Sequence, residues 1–103
     1  MKSYGKQSMN PIIKLPEKFS HHQARTLLQE NMRDLLAQQP MPSTIEIDFA
    51  RVIYIDSSAL GALIMVKKLA AEADCEIVIT NAQGQVLQFI LIAKLDRLFK
   101  VNP

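Results

Sequence analysis

Alternating apolar and polar side chains predict a strand near the middle of the chain. Residues 45–49 read IEIDF, which has the two-residue period of a strand with one buried face. A second β-rich run at residues 52–55 leads into three small polar residues, Asp56, Ser57 and Ser58. Side-chain oxygens of such residues accept hydrogen bonds from the free N–H groups of a helix N-terminus. A helix is therefore predicted to begin near Ser57.

Beyond Ser57 the apolar residues recur with the period of a helix. The stripe expected to face the core consists of Ala59, Ala62, Leu63, Val66, Ala70 and Ala73, with Leu69 at its margin. Leu60, Ile64 and Met65 lie outside this stripe, and Gly61 lies among them. A helix that only covered a sheet would not need them, so they predict a docking surface beside the serines. The alternative is that neighbouring loops cover them.

The residues before this central segment predict one strand and one helix. Residues 11–15 form a short apolar run bounded by prolines, which suits the edge of a sheet. Ser20 is predicted to cap the helix, because Gln23 follows at the spacing of a capping box. The apolar residues of this helix recur at helical spacing: Ala24, Leu27, Leu28, Met32, Leu35 and Leu36. Residues 38–43 include two prolines and are predicted to end it.

The residues after the central helix predict a strand, a helix and a brief last strand. Residues 75–80 are almost continuously apolar, which favours a well-covered strand with Cys75 as a small core residue. Residues 85–94 predict an apolar helix with one side on the sheet, and residues 98–101 predict the last strand. The second apolar stripe of this helix consists of Leu87, Leu91 and Leu95. It covers either the central helix or a second copy of the chain.

The alternation of strands and helices predicts an α/β fold, in which helices cross over a sheet. Because the strands are few, the helices are expected on one face of the sheet. The whole chain, residues 1–103, is short enough to form a single domain. Residues 1–9 are expected to be a loose lead-in or an edge strand.

Composition narrows the classes of function. A net charge of +2 from scattered basic residues does not indicate a nucleic-acid-binding protein. One cysteine allows no disulfide within the chain, so an oxidising compartment is not required. The N-terminus lacks the apolar region of a secretion signal, and no apolar run approaches the length of a membrane span. The expected location is the cytoplasm.

Motifs for catalysis and for metal binding are missing from the sequence. Ser58 lacks the Gly-x-Ser-x-Gly context of a hydrolase nucleophile. His21 and His22 are adjacent, so they point in different directions and make poor joint metal ligands. The three glycines form no phosphate-binding loop. Asp48 and Asp56 would need further ligands to hold a metal. The chain is therefore predicted to be a binding protein without metal or cofactor, and not an enzyme.

Three segments, in order along the chain, resemble the STAS domain family, the anti-sigma factor antagonists. They are LPEKFSHHQA at residues 15–24, IEIDFARVIYIDSSALGAL at residues 45–63 and LDRLFKV at residues 95–101. Two positions depart from the family: Ala59 stands where it usually has glycine, and Glu17 or Lys18 stands where a glycine often precedes the first helix. The resemblance covers most of the chain. It implies a small mixed β-sheet with helices packed on one face and a last helix that is short or absent.

The resemblance also implies a phosphoprotein of a bacterial partner-switching pathway that regulates transcription. In STAS antagonists the second residue of the serine pair, here Ser58, is phosphorylated. The unphosphorylated form sequesters an anti-sigma factor that is also its serine kinase, and a metal-dependent serine phosphatase removes the phosphate. The residues expected to bind the partner are Asp56, Ser57, Ser58, Leu60, Gly61, Ile64, Met65 and Ser20. Direct contact with nucleic acid or with a membrane is not expected.

Two other classes of function stay open at this point. The chain could be a constitutive scaffold or dimerisation module that is never phosphorylated and forms a weak homodimer through the stripe of Leu87, Leu91 and Leu95. It could instead bind a small ligand at the junction between the central strand and the helix, beside Ser58.

Overall fold

The computed structural model describes residues 10–20 and 22–103, so the predicted lead-in or edge strand at residues 1–9 lies outside it. The elements of the described part are, in order, β1 (Ile12–Lys14), β2 (Lys18–Phe19), α1 (His22–Leu36), β3 (Thr44–Asp48), β4 (Tyr54–Ile55), α2 (Ser57–Glu72), β5 (Glu76–Thr80), α3 (Gly84–Ile92), a 3-10 helix (Leu95–Arg97) and β6 (Lys100–Asn102). The predicted alternation of strands and helices is confirmed. None of the helices in the described part combines the length and the apolarity needed to cross a bilayer.

Four strands form a parallel sheet in the order β1-β3-β5-β6. The register places Ile13, Ile47, Ile79 and Val101 side by side across it. Each crossover advances one strand in the same direction, and because crossovers between parallel strands are right-handed, α1, α2 and α3 lie on one face. The α/β fold with helices on one face is therefore confirmed. Every strand pairing within the described residues is parallel, so the antiparallel part of a mixed sheet is not found there.

The hydrophobic core lies between this sheet and the helices. On β3, Ile45 and Ile47 are buried while the alternate residues Thr44, Glu46 and Asp48 are only half-buried, as the alternation predicted. The buried residues of α2 are Ala59, Ala62, Leu63, Val66 and Ala70. The predicted core stripe of α2 is thus confirmed, with Ala73 half-buried at its end, and Cys75 is buried as predicted.

A second, two-stranded parallel sheet forms where the chain leaves β1 and β3. Here β2 pairs with β4, and Phe19 lies opposite Ile55. The strand predicted at residues 52–55 is shorter than expected, because the N–H of Val52 closes a turn onto the carbonyl of Phe49 at 3.0 Å. Since α1 and α2 follow shortly after β2 and β4, the two helices begin side by side.

Two phenylalanines attach this small sheet to the core. Phe19 and Phe49 are both buried, and their ring centroids are 6.3 Å apart with an interplanar angle of 82°. This edge-to-face arrangement is the favoured geometry for aromatic pairs. The pair anchors Phe19, the residue immediately before Ser20, in the core.

The start of α1 lies partly outside the described residues. The helix begins at His22, and the position immediately before it is residue 21. The capping role of Ser20 therefore stays a prediction. The apolar side of α1 agrees with the predicted period at Leu28 and Met32, which are fully buried, but not at Leu27, which is 54% exposed.

The end of α3 departs from the sequence prediction. The helix ends at Ile92, and Lys94 then adopts a left-handed conformation with φ of 61° before the 3-10 helix. This turn directs Leu95 into the core, where it is 1% exposed, whereas Leu91 stays 47% exposed. The prediction that Leu87, Leu91 and Leu95 form one second stripe is therefore wrong for Leu95, and Leu87 is half-buried against the core. The last strand, β6, begins two residues later than predicted.

Candidate functional site

An aspartate cap fixes the start of α2. Asp56 precedes the helix with extended backbone (φ −135°, ψ −179°), and its Oδ1 accepts a hydrogen bond from the backbone N–H of Ser58 at 3.0 Å. Such a side chain satisfies one of the free N–H groups of the first turn and stabilises the helix. The predicted start of the helix near Ser57 is confirmed, since Ser57 is its first residue. Of the three small polar residues, Asp56 is the one that caps the helix.

The hydroxyl of Ser58 is held by two neighbours and stays open to solvent. Its Oγ donates a hydrogen bond to Oδ1 of Asp56 at 2.6 Å and lies 3.4 Å from the backbone carbonyl oxygen of Ser20. A hydroxyl has one proton to donate, and the shorter distance assigns it to the carboxylate. Ser58 itself is exposed. The hydroxyl is therefore oriented and accessible at once.

The contact with Ser20 follows from the topology. Ser20 comes directly after β2, and Ser58 lies in the first turn of α2, shortly after β4. Because β2 and β4 pair in parallel, the segments that follow them leave the small sheet at the same end. The structure thus brings Ser20, Asp56, Ser57 and Ser58 together. Their part in binding a partner stays a prediction.

The carboxyl group of Asp56 ionises more readily than that of an ordinary aspartate. The hydrogen bond from the side chain of Ser58 is the main reason that the pKa of Asp56 is lowered; the backbone N–H groups of Ser58 and Ala59 and the charge of Arg25 add to it. Desolvation of the carboxyl group acts in the opposite direction. A carboxylate that is ionised at neutral pH accepts both hydrogen bonds from Ser58 and so maintains the orientation of its hydroxyl.

Exposed apolar side chains lie farther along α2. Ile64 and Met65 are 47% and 42% exposed, whereas Leu60 is half-buried and packs against the core. Gly61 is exposed, and a methyl group added there would meet no atom within 4 Å. No described loop covers Ile64 and Met65, so the covering alternative does not apply to these two. We call Ile64 and Met65 the α2 apolar patch.

Ala59 does not obstruct the hydroxyl of Ser58. It stands where the resemblance leads one to expect glycine, yet it is 0% exposed and belongs to the core cluster. Successive side chains of a helix diverge around its axis, so the methyl group of Ala59 points inward while Ser58 faces solvent. The departure from glycine leaves the approach to Ser58 open.

The sequence analysis missed Arg25, which the fold places beside the cap. Its positive charge contributes to the lowered pKa of Asp56. Its Nε is buried and has no hydrogen-bond partner among residues 10–20 and 22–103. Arg25 lies three and seven residues before the buried Leu28 and Met32, which places it on the inward side of α1. A charged residue at an inward position of an amphipathic helix is the signal that could have revealed it.

Asp48 and the histidines were the other candidates from the sequence. The structure gives Asp48 a structural role and assigns none to His22. Oδ1 of Asp48 accepts hydrogen bonds from the backbone N–H of Ala50 and from Nδ2 of Asn81, both at 2.9 Å, and so ties together the ends of β3 and β5. His22 is exposed, and His21 lies outside the described residues. In the described part of the chain no three His, Cys, Asp or Glu residues are grouped as a metal site would require.

A cleft of about 260 Å³ opens between β4 and α3. Its lining residues are Ile53, Tyr54, Ile55, Gln85, Val86 and Phe89. This volume is below the roughly 300–1,000 Å³ typical of small-molecule sites. The cleft is therefore small for a ligand site. Ile53 and Tyr54 are exposed and lie just before Asp56 in the chain.

The sequence is similar to known STAS domains. A family model described as "Mlab, STAS domain" matches residues 3–101. A curated STAS-domain containing protein of Pseudomonas aeruginosa (strain UCBPP-PA14) is 30% identical over 61 residues, which are 59% of this chain and 60% of the relative. The alignment thus spans less than two thirds of that relative. Both matches agree with the resemblance carried by residues 15–24, 45–63 and 95–101.

Proposed function

The chain belongs to the STAS domain family of anti-sigma factor antagonist-like proteins, which are generally non-enzymatic, and on that premise we propose that phosphorylation of Ser58 switches its binding to a partner. In this proposal the unphosphorylated chain sequesters an anti-sigma factor that is also its serine kinase. A metal-dependent serine phosphatase reverses the modification. The pathway regulates transcription in the cytoplasm by exchange of partners, and the chain makes no direct contact with nucleic acid.

One observation carries the proposal: an exposed hydroxyl, oriented by a carboxylate, stands at the start of the helix that bears the α2 apolar patch. The Oγ of Ser58 is 2.6 Å from Oδ1 of Asp56. A helix N-terminus favours negative charge, because its free N–H groups and the helix dipole point toward it. Phosphorylation of Ser58 would therefore add charge at a place where the fold tolerates it.

The added charge is sufficient to act as a switch without a change of conformation. A phosphoserine carries about −1.5 to −2 charges at neutral pH. A partner that contacts Ile64 and Met65 with its own apolar or acidic side chains would have to bury or approach this charge beside Asp56. Such unfavourable contacts cost several kcal/mol, which corresponds to roughly a thousandfold loss of affinity.

The proposal is tested by incubating the protein with a candidate anti-sigma kinase and ATP. Mass spectrometry of the intact protein should show one added phosphate in the wild type and none in Ser58→Ala. Ser57→Ala is the matched control: Ser57 is also exposed at the start of α2, and this variant should still be phosphorylated. Phosphate that persists in Ser58→Ala, or that disappears in Ser57→Ala alone, would contradict the assignment.

A second candidate is favoured by the exposed apolar residues near the C-terminus. Leu91, Ile92 and Leu98 stay exposed on α3 and after the 3-10 helix, and they could form a constitutive contact that does not involve Ser58. Size-exclusion chromatography of Leu91→Glu tests this function. An elution volume equal to that of the wild type removes self-association through α3, whereas a later elution supports it.

A further inference from the structure

We propose that Arg25 is the counterion of phosphorylated Ser58 and fixes the phosphate between the starts of α1 and α2. The inference rests on the proposed function, because it describes what the chain does with a phosphate once Ser58 carries one. It assigns a role to a residue outside the three segments that carry the family resemblance, and it makes the site a product of both helices.

The fold directs Arg25 toward the serine. α1 and α2 pack against each other and begin side by side after the paired β2 and β4. Arg25 lies in the first turn of α1, on the same side as the buried Leu28. Helical side chains lean toward the N-terminus of their own helix, and for Arg25 this is the end of α1 near which the carbonyl oxygen of Ser20 lies 3.4 Å from the Oγ of Ser58.

The guanidinium of Arg25 has an unused donor in this position. Its Nε is buried without an acceptor anywhere in the described part of the chain, although buried polar groups in proteins almost always have one. Oδ1 of Asp56 is already occupied by the N–H and the hydroxyl of Ser58. The charge of Arg25 nevertheless reaches this carboxyl group, since it helps to lower the pKa of Asp56. Arg25 is thus close enough to Asp56 to act on its charge, and its buried Nε–H has no acceptor.

A phosphate on Ser58 would supply hydrogen-bond acceptors for the unpaired donor of Arg25. Phosphorylation adds three strong acceptor oxygens and up to two negative charges, and the planar guanidinium is suited to pair with phosphate through two parallel hydrogen bonds. Arg25 would also offset the repulsion between the phosphate and Asp56. The phosphate would then be held in one position, on the N-terminal side of the α2 apolar patch, instead of moving freely in solvent.

The test uses phosphoserine incorporated at position 58 by genetic encoding, so that no kinase is needed. A ³¹P NMR titration measures the second pKa of the phosphate, which is ordinarily about 6. Loss of a nearby positive charge in Arg25→Gln should raise that pKa by about one unit relative to the unsubstituted chain. The matched control is Arg33→Gln, an exposed arginine near the other end of α1, which should leave it unchanged. Equal phosphate pKa values in the unsubstituted chain and in Arg25→Gln overturn the proposal.

A second measurement is made on the chain that keeps Arg25, so its result does not depend on how Arg25→Gln folds; Arg25→Lys serves only to assign the resonance. The Nε–H resonance of Arg25, identified by its disappearance in Arg25→Lys, should move downfield by NMR when Ser58 carries the phosphate. An unchanged resonance overturns the proposal even if the titration cannot be interpreted. Failure of every candidate kinase to modify Ser58, by contrast, would contradict the proposed function and leave both of these results intact.

Discussion

Ser58 donates two hydrogen bonds to a single oxygen of Asp56, one from its backbone N–H at 3.0 Å and one from its hydroxyl at 2.6 Å. The same carboxylate oxygen therefore caps α2 and orients the hydroxyl that we propose is phosphorylated. The cap does not depend on that hydroxyl, because Ser58→Ala keeps the backbone N–H of residue 58 that Asp56 caps. The orientation of the hydroxyl does depend on the cap.

Replacing Asp56 by alanine is expected to destabilise the protein through loss of the cap. Removing an N-cap side chain from a domain of this size should lower the Tm by roughly 4–8 °C. Asp56→Asn keeps an acceptor at the cap and should lose less. Thermal unfolding followed by circular dichroism measures both. Glu72→Ala, at the opposite end of α2, is the control and should not lower the Tm, since an acid at a helix C-terminus is unfavourable.

The contribution of Asp56 to stability is expected to vanish in acid. Its pKa is lowered in the folded state, chiefly by the hydrogen bond from the side chain of Ser58. Stability from a group of this kind is fully present above its unfolded pKa of about 3.9 and is lost as the pH falls through the lower folded pKa. The Tm difference between wild type and Asp56→Asn should therefore shrink below about pH 4. A difference that is constant across the titration would show that the charge of Asp56 is not involved.

Partner binding is expected to depend on the α2 apolar patch. Ile64→Glu places a charge in the proposed interface and should weaken binding to the proposed partner, an anti-sigma kinase, by about tenfold or more. Ile92→Glu is the control, because Ile92 is 79% exposed but lies on α3. Isothermal titration calorimetry measures both. If only Ile92→Glu weakens binding, the interface lies on α3 and the α2 patch is not the docking surface.

The pair of Phe19 and Phe49 is expected to hold the small sheet in place. Phe49→Ala removes a buried ring from an edge-to-face contact and should reduce the free energy of unfolding by about 3–5 kcal/mol. Phe49→Leu keeps much of the volume and should cost less. Urea denaturation measures the loss. If Phe49→Leu were as stable as the wild type, the ring of Phe49 would contribute no more than a leucine side chain.

Cys75 is expected to be unreactive until the protein unfolds. Burial of its thiol, followed by the nearby charge of Glu76, raises the pKa of Cys75 above its ordinary value, so little thiolate is present at neutral pH. Reaction with a thiol reagent should be slow in the native protein and rapid in urea. Equal rates in both states would show that Cys75 is accessible in the folded chain.

Several parts of the fold could be predicted from local pattern because burial repeats with the period of each element. The alternation in residues 45–49 identified the inward side of β3, and the stripe from Ala59 to Ala70 identified the inward side of α2. The end of α3 could not be predicted in this way. Leu95 continues the spacing of Leu87 and Leu91, but the left-handed turn at Lys94 breaks the helical period and turns its side chain inward.

Local sequence was enough to set the order of the main strands and helices and the small polar residues that precede α2, since these depend on neighbours only a few positions apart. It did not predict the two-residue strand β2. The surroundings of Ser58, in contrast, arise from the packing of the folded domain. The carbonyl of Ser20, which is 38 positions away, reaches its hydroxyl only because β2 and β4 pair in parallel. Arg25 comes near Asp56 only because α1 packs beside α2. Contacts between elements depend on pairing and packing across the whole domain, and periodicity along one element does not encode them.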